Sequence, residues 1–239
     1  ALLSGQICTG HVTAVDGRID RIARNLRTIR PTAMACVPRI YEKVYNQIAA
    51  KARANGSLAY RVFRWAATVA RTHAQAAQAQ RQGAATARIP LFLKARHALA
   101  DRLVYAKVRA AFGGRLRIAV SGSAALAPEI AYFFSGAGIP ILEGYGLTET
   151  SGCATVNRRD NPRIGTVGTS LPGFELRIAD DGEVLLRGPG LMRGYHRLPG
   201  QTAEALDADG WLHTGDIGTL DQDGYLSITD RTKDLFKTS

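Results

Sequence analysis

The chain has 239 residues, of which 46% are hydrophobic and 21% charged, the composition of a folded globular protein with room for one large domain or two small ones. No apolar run approaches the roughly 18 residues a membrane-spanning helix needs. The formal net charge of +11 is uneven: residues 1–117 carry 21 Lys/Arg against four Asp/Glu, a balance of +17, and residues 118–239 carry 10 against 16, a balance of −6. A basic half can attract nucleic acid, anionic lipid or an anionic ligand such as a nucleotide, although the ordinary source of such a run is a set of solvated helix faces.

In chain order, "RIDRIARNLRTIR" (18–30) places Ile19, Ile22, Leu26 and Ile29 at helical spacing, and Pro31 ends that helix. "TAMACV" before Pro38 reads as a short buried strand. A second helical stretch runs from Arg39 to Gln82, broken at Asn55-Gly56-Ser57. Its aromatic residues Tyr60, Phe63 and Trp65 are expected in the core rather than as a gate for an acyl chain. "RQGAATARIP" is a loop, and a basic amphipathic helix follows from about Leu91 to Phe112, stopped by Gly113-Gly114. "RLRIAVSGSAALAPEI" then reads as strand, tight Ser/Gly turn and helix, with Pro128 in the first helical turn and Glu129 complementing its dipole. A strand into Leu142 follows. After about Asn161 the pattern is entirely short strands and turns, with Asp-Gly turns at 181–182, 209–210 and 223–224.

The three cysteines (8, 36, 153) and five histidines (11, 73, 97, 196, 213) are scattered. They show neither zinc spacing nor a disulfide framework, which favours a reducing cytoplasm and no structural metal. The start "ALLSGQICTG" lacks an initiator Met and a basic leader region, so it reads as the interior of a longer protein rather than a signal peptide. The ending "DRTKDLFKTS" is equally abrupt.

Two loops each follow a strand: "SGSAAL" (121–126) and "EGYGLTET" (143–150). Ligands of open α/β sheets sit beyond the carboxyl ends of strands. Small residues at Ser121, Gly122, Ser123 and Ala124 admit a flat ring close to the backbone. Tyr145 can stack on it, Thr148 can donate to a phosphate oxygen, and Glu149 can hold a Mg2+ that bridges phosphates. Taken alone, Gly144-Tyr145-Gly146 beside acids such as Glu143 and Glu149 also suits a surface turn. The third glycine of a Rossmann fingerprint would fall at Glu149, and there is no Walker A sequence. "GTLDQDGYLS" lacks the ligand spacing of a calcium loop, so turn chemistry explains its acids better. In "GWLHTGDIG" (210–218), Asp216 can accept both hydroxyls of a ribose diol; an Asx-turn explains it equally. In "TDRTKDLFK" (229–237), Arg231 can reach ribose or phosphate, or belong to a charged surface strand.

In order, "SGSAAL", "EGYGLTET", "GEVLLRGPGLMRGYHR", "GWLHTGDIG" and "GYLSITDRTKDLFK" resemble the adenylate-forming superfamily, specifically its acyl-CoA synthetases (AMP-binding enzymes). Upstream, "VPRIYEKV" is similar to the stretch that long-chain fatty acid members carry before the nucleotide loop. The resemblance implies an α/β fold, part of the large N-terminal domain: a helix-flanked sheet with the nucleotide loop (1–160), a β-rich subdomain (161–230), and a hinge opening a small C-terminal domain (231–239). It implies that Tyr145 stacks on adenine beside Gly122 to Ala124 and Gly144, that Thr148 meets phosphate, and that Glu149 carries Mg2+. It also implies that Asp216 binds the ribose hydroxyls with Arg231 beside it, and that Lys233 lies at the hinge. Ser121, Glu143 and Gly146 fall in the same two loops.

The implied reaction joins a fatty acid to coenzyme A at the expense of ATP, through an acyl-adenylate. The alternatives are a non-catalytic nucleotide-binding homologue and a ligase for another carboxylate. The family's Pro-Lys-Gly phosphate loop is absent from these residues, and its catalytic lysine belongs to the small C-terminal domain, so this chain alone is expected to be catalytically incomplete. Nucleic acid is not an expected partner, because the arginines are not interleaved with stacking aromatics. A cytoplasmic location with peripheral membrane contact is expected, since a basic amphipathic helix accompanies a lipid substrate.

Overall fold

The computed structural model describes residues 10–15, 18, 21–83 and 88–231. The chain divides into two compact units, within residues 2–141 and within residues 142–239. The α/β class expected from the sequence holds in both.

In the first unit, α1 (Ile22–Ile29) ends where Arg30 turns left-handed (φ 52°) and its N–H bonds Leu26 O at 3.0 Å. The helix therefore closes on its own C-cap before Pro31 is reached. Ile19, its predicted first apolar residue, lies outside the described residues. Strand β1 (Ala33–Cys36) runs parallel to β2 (Ile118–Ser121), with Ala33 opposite Ile118 and Cys36 opposite Ser121. The expectation of a buried strand is corrected here: β1 alternates between exposed and half-buried residues, because it pairs along one edge only.

Helices α2 (Pro38–Ala54) and α3 (Ser57–Arg81) are separated at Asn55-Gly56, as the sequence predicts, and Pro38 supplies the first turn of α2. α2 buries Ile40, Tyr41 and Val44, one face at helical spacing, and Tyr41 donates to Val120 O on β2 at 2.9 Å. Burial pushes the neighbouring Cys36 thiol up to about 11, against the opposing effect of its hydrogen bond with Tyr41; at neutral pH it is no nucleophile. On α3, Phe63 is buried, whereas Tyr60 and Trp65 are only half-buried with arginines over their rings. That corrects two of the three expected core aromatics.

The predicted helix from Leu91 to Phe112 is interrupted. It comprises α4 (Leu91–Ala100), a π turn (Asp101–Tyr105) and α5 (Ala106–Ala111). The wider turn brings both Val104 and Tyr105 into the core, where Tyr105 donates to Ala66 O at 2.7 Å. Helix α6 (Pro128–Gly136) completes the unit, and its Phe133 and Phe134 join Tyr41, Phe63 and Phe112 in edge-to-face contacts.

Between α3 and α4 the rings of His73 and His97 stack, centroids 4.0 Å apart. Burial first, then His97 and Lys94, hold His73 below its ordinary value. The folded state therefore resists a proton that the unfolded chain takes up near pH 6.5. Its stability is full above that value and declines as pH falls from about 6.5 toward the lowered one. The midpoint of urea unfolding should drop between pH 7.5 and 5.5, and His73→Gln should flatten that slope.

The second unit is β-rich. β3 (Ile141–Tyr145), β4 (Thr155–Val156) and β5 (Thr169–Ser170) pair antiparallel, Gly144 opposite Val156 and Thr155 opposite Ser170. β6 (Glu175–Ile178), β7 (Glu183–Arg187), β8 (Leu212–Leu220) and β9 (Leu226–Arg231) form an antiparallel meander in that order. Ala154, Val184, Leu186, Leu212 and Leu226 make its dry core. The three Asp-Gly turns form as predicted, with φ of 88°, 80° and 78° at Gly182, Gly210 and Gly224. In two of them an Asp two residues before the Asp-Gly pair organises the turn. Asp207 Oδ1 accepts the N–H of Asp209 and Trp211, and Asp221 Oδ1 accepts those of Asp223 and Tyr225. Asp221 and Asp223 also pair with Arg163, whose guanidinium lies over the Tyr225 ring.

The expectation of strands and turns alone after Asn161 is corrected by α7 (Pro199–Ala205), which starts with proline in its first turn. It buries no residue, so it leaves no apolar period to read in the sequence.

Candidate functional site

Tyr145 ends β3 with its ring half-buried against the core of the second unit. Its hydroxyl donates to Asp216 Oδ2 at 2.7 Å, joining two predicted site residues 71 positions apart. Asp216 is 3% exposed, and side chains fix the backbone that carries it. Its N–H donates to Thr214 Oγ1 (3.1 Å), Thr214 donates to Val184 O (2.7 Å), and the neighbouring Gly215 N–H donates to Glu183 Oε1 (2.7 Å). Across the ladder Asp216 faces Arg231, immediately before an irregularity at Ile217/Gly218. The carboxylate thus sits at a bulged, well-braced point of the sheet, where a ligand side chain can be aimed. The Asx-turn alternative does not describe it: the acceptor used in that turn is Thr214 Oγ1.

Gly146 to Cys153 fold back tightly. Ala154 N–H bonds Tyr145 O at 2.9 Å, and a Cβ on Gly146 would lie 1.9 Å from Gly152 O. Within this loop Thr148, Glu149 and Thr150 make one 3-10 turn. The Thr150 hydroxyl accepts the N–H of Leu147 at 2.9 Å and donates to Gly152 O at 2.6 Å, fixing its shape. Thr148 is exposed and Glu149 half-buried. Glu149 O accepts the N–H of Met192 (2.7 Å), and its carboxylate Oε1 accepts the Tyr195 hydroxyl (2.8 Å). That bond first, with burial, pushes the Tyr195 hydroxyl above its ordinary value.

Glu143, 7% exposed, is buried in β3 and its carbonyl accepts the Asn157 N–H at 2.8 Å. Gly144 lies opposite Val156 in the same ladder.

Ser121 to Ala124 belong to the first unit, at the carboxyl end of β2. Ser121 is fully buried and its hydroxyl has no hydrogen-bond partner; Ser123 is left-handed at φ 71°. An orphaned hydroxyl and a left-handed serine side by side are a costly local arrangement of the kind kept at ligand sites. Arg231 closes β9 by its backbone, and Lys233 lies outside the described residues.

Three contributors carried no role in the sequence reading. Tyr195 lies within "GLMRGYHR", one of the segments that carried the resemblance, but only the fold brings it to Glu149. Glu183 and Thr214 brace Asp216 and left no signal beyond being polar residues in strands. Among the described residues no three His, Cys, Asp or Glu side chains gather to hold a metal. Glu149 offers one carboxylate. This suits a Mg2+ that takes most of its ligands from substrate phosphates and water, and it does not suit a metal caged by protein.

The family model described as AMP-binding enzyme matches residues 2–196. The chain belongs to the AMP-binding enzyme family. Among curated relatives, the long-chain-fatty-acid–CoA ligase FadD15 of Mycobacterium bovis is 45% identical over 221 residues, covering 92% of this chain and 35% of that protein. Among solved structures, the O-succinylbenzoate coenzyme A synthetase MenE of Bacillus subtilis in complex with AMP aligns at a TM-score of 0.64 and 17% identity. It covers 98% of this chain and 38% of its own and so shares the fold. A malonyl-CoA ligase with methylmalonyl-CoA and AMP bound aligns at 0.54 and 28% identity, covering 90% and 36%. This member of the AMP-binding enzymes therefore spans about a third of the length of the relatives it matches.

Proposed function

We propose that the chain is part of a long-chain fatty acid–CoA ligase, and that the corner formed by Tyr145 and Asp216 receives the nucleoside of ATP and of the acyl-adenylate. The observation that carries this reading is the 2.7 Å bond between them. It places an aromatic ring and a buried, braced carboxylate side by side, the pair of groups a purine nucleoside needs. Asp216 takes the ribose hydroxyls. Thr214 and Glu183 fix the backbone at Asp216 and Gly215, and the Tyr145 hydroxyl holds the carboxylate, before ligand arrives, so that little reorganisation is needed on binding. Tyr145 offers its ring to adenine, and its bond to Asp216 fixes the orientation of that ring. Thr148, exposed on the rigid 3-10 turn, donates to phosphate oxygen. Ser121 to Ala124, Glu143, Gly144, Gly146, Arg231 and Lys233 are assigned to the nucleotide on the family pattern. So are the boundaries at 160 and 230.

The fatty acid carboxylate attacks the α-phosphate of ATP and pyrophosphate departs; a Mg2+ held at Glu149 would supply charge neutralisation for the phosphates. Tyr195 orients the Glu149 carboxylate by donating its hydroxyl to Oε1, and Glu149 would be the protein's ligand to the metal. The thiol of coenzyme A then displaces AMP from the acyl-adenylate. No protein nucleophile is required. Glu149→Gln should raise the Mg2+ concentration that half-saturates the reaction about tenfold, the loss expected for one charged oxygen ligand, with the affinity for AMP unchanged.

The test of the whole reading is palmitate-dependent ATP–pyrophosphate exchange on the full-length product of the gene that encodes this chain. Exchange with long-chain acids is expected. Binding of AMP without exchange for any carboxylate would point instead to a non-catalytic homologue.

A further inference from the structure

Helices α2 and α3 do not close against each other along their whole length. Tyr45, Asn46, Ala49, Ala50 and Arg53 face Tyr60, Phe63, Arg64, Ala67, Thr68 and Arg71 across a groove of about 420 Å³. Both sets recur at three- and four-residue spacing, so each helix contributes one continuous face. Ala49, Ala50 and Ala67 present only methyl groups, so the space between the walls is left unfilled. Phe63, packed on Tyr45 and Phe133, makes the floor. Three of the lining side chains are arginines and none is acidic. The two helices together hold eight Lys/Arg and one acid, Glu42.

The arginines are placed in sequence along the groove. Arg53 is fixed at one end, bonded to the Tyr60 hydroxyl at 2.8 Å and lying over its ring at 4.6 Å. Arg64 and Arg71 lie two turns apart on α3, roughly 10 Å along the axis at 1.5 Å per residue. Arg71 Nε turns back to Ala67 O at 3.3 Å. Arg53, Arg64 and Arg71 bring three guanidinium charges to one groove whose lining holds no acid, and a multivalent oxyanion there meets donors capable of bidentate geometry. The volume is that of a small-ligand site.

We propose that this groove is an anion site for a phosphate-bearing group of headgroup size, with Arg64 and Arg71 as its principal contacts and Arg53 at its mouth. It lies wholly within the first unit and does not depend on the nucleotide reading. The shared chemistry is a phosphate ester, free in solution or carried by a lipid. The two sources are separated by titrating the chain calorimetrically with glycerol 3-phosphate, and by co-sedimenting it with phosphatidylcholine vesicles made with and without phosphatidylglycerol.

The wild-type chain should bind in at least one arm. The double variant Arg64→Gln/Arg71→Gln should weaken that binding tenfold or more, the loss of two charge-assisted contacts, and should flatten its dependence on salt. Arg81→Gln removes an exposed cation of α3 that does not line the groove and lies ten residues beyond Arg71, about 15 Å along the axis, and should leave binding within about twofold, as expected for a distant, screened surface charge. Circular dichroism keeps the comparison to folded protein, and Arg64→Lys with Arg71→Lys should recover only part of the affinity, since the fork geometry is lost. Absence of binding in both arms overturns the proposal. So does an equal loss on Arg81→Gln, which would reduce the effect to diffuse surface charge.

Discussion

Replacing Asp216 with alanine should lower the affinity of the chain for AMP by about a hundredfold. Two hydrogen bonds from a ribose diol to a carboxylate are each worth about 1.5 kcal/mol or more, and about 1.4 kcal/mol corresponds to tenfold. Calorimetric titration of AMP gives the number directly. Asp216→Asn keeps the shape but removes the charge and one acceptor, and should lose about tenfold on the same scale.

Because Asp216 is buried and receives the Tyr145 hydroxyl, the alanine variant also removes that hydrogen bond, at a stability cost of about 1–3 kcal/mol. The double variant Tyr145→Phe/Asp216→Ala removes both halves of the pair. It should regain part of the stability while AMP affinity stays low. If Asp216→Ala binds AMP as tightly as the native chain with an unchanged fold, Asp216 does not hold the ribose and the nucleoside corner is wrongly placed.

The second large effect is on the loop that carries Glu149. Gly146→Ala adds a single methyl group, but that methyl would lie 1.9 Å from Gly152 O and 2.8 Å from Cys153 Cα. Both neighbours are backbone and cannot rotate away, so the loop must open or the chain must shift. A loss of about 3 kcal/mol is expected, the upper part of the range for overpacking. The midpoint of urea unfolding for the second unit should fall accordingly, and the AMP affinity should fall with it as the 3-10 turn is displaced. Gly200→Ala serves as the contrast. Gly200 lies in α7 with open space around its Cα, and alanine there should leave the midpoint unchanged or raise it by up to about 1 kcal/mol in stability. Equal midpoints for the two variants would show that the loop does not make the close approach described.

Much of the first unit could be read from the chain. The positions of α2 and α3 follow from helical spacing, and the break between them from Asn55-Gly56. The π turn at Asp101–Tyr105 was not legible, because a single widened turn leaves the surrounding period almost intact. The exposure of β1 was not legible either: "AMAC" is apolar enough to be buried, and only its pairing along one edge leaves it half open. In the second unit the Asp-Gly turns were legible because their chemistry is confined to four residues. α7 was not, since a short helix that buries no side chain has no apolar stripe to betray it.

The sequence by itself determined the order of the elements, the turn residues, the absence of a Walker loop and the five segments by which the family resemblance was found. All of these rest on neighbours a few positions apart, where steric and hydrogen-bonding preferences act without the rest of the molecule. Only the tertiary structure decided that Tyr145 bonds Asp216 across 71 positions, that Tyr195 reaches Glu149 across 46, and that Arg53 and Arg64 line one groove. Those contacts depend on how a buried core orients separate strands and helices. Packing of the whole chain sets that orientation, and no local pattern carries it.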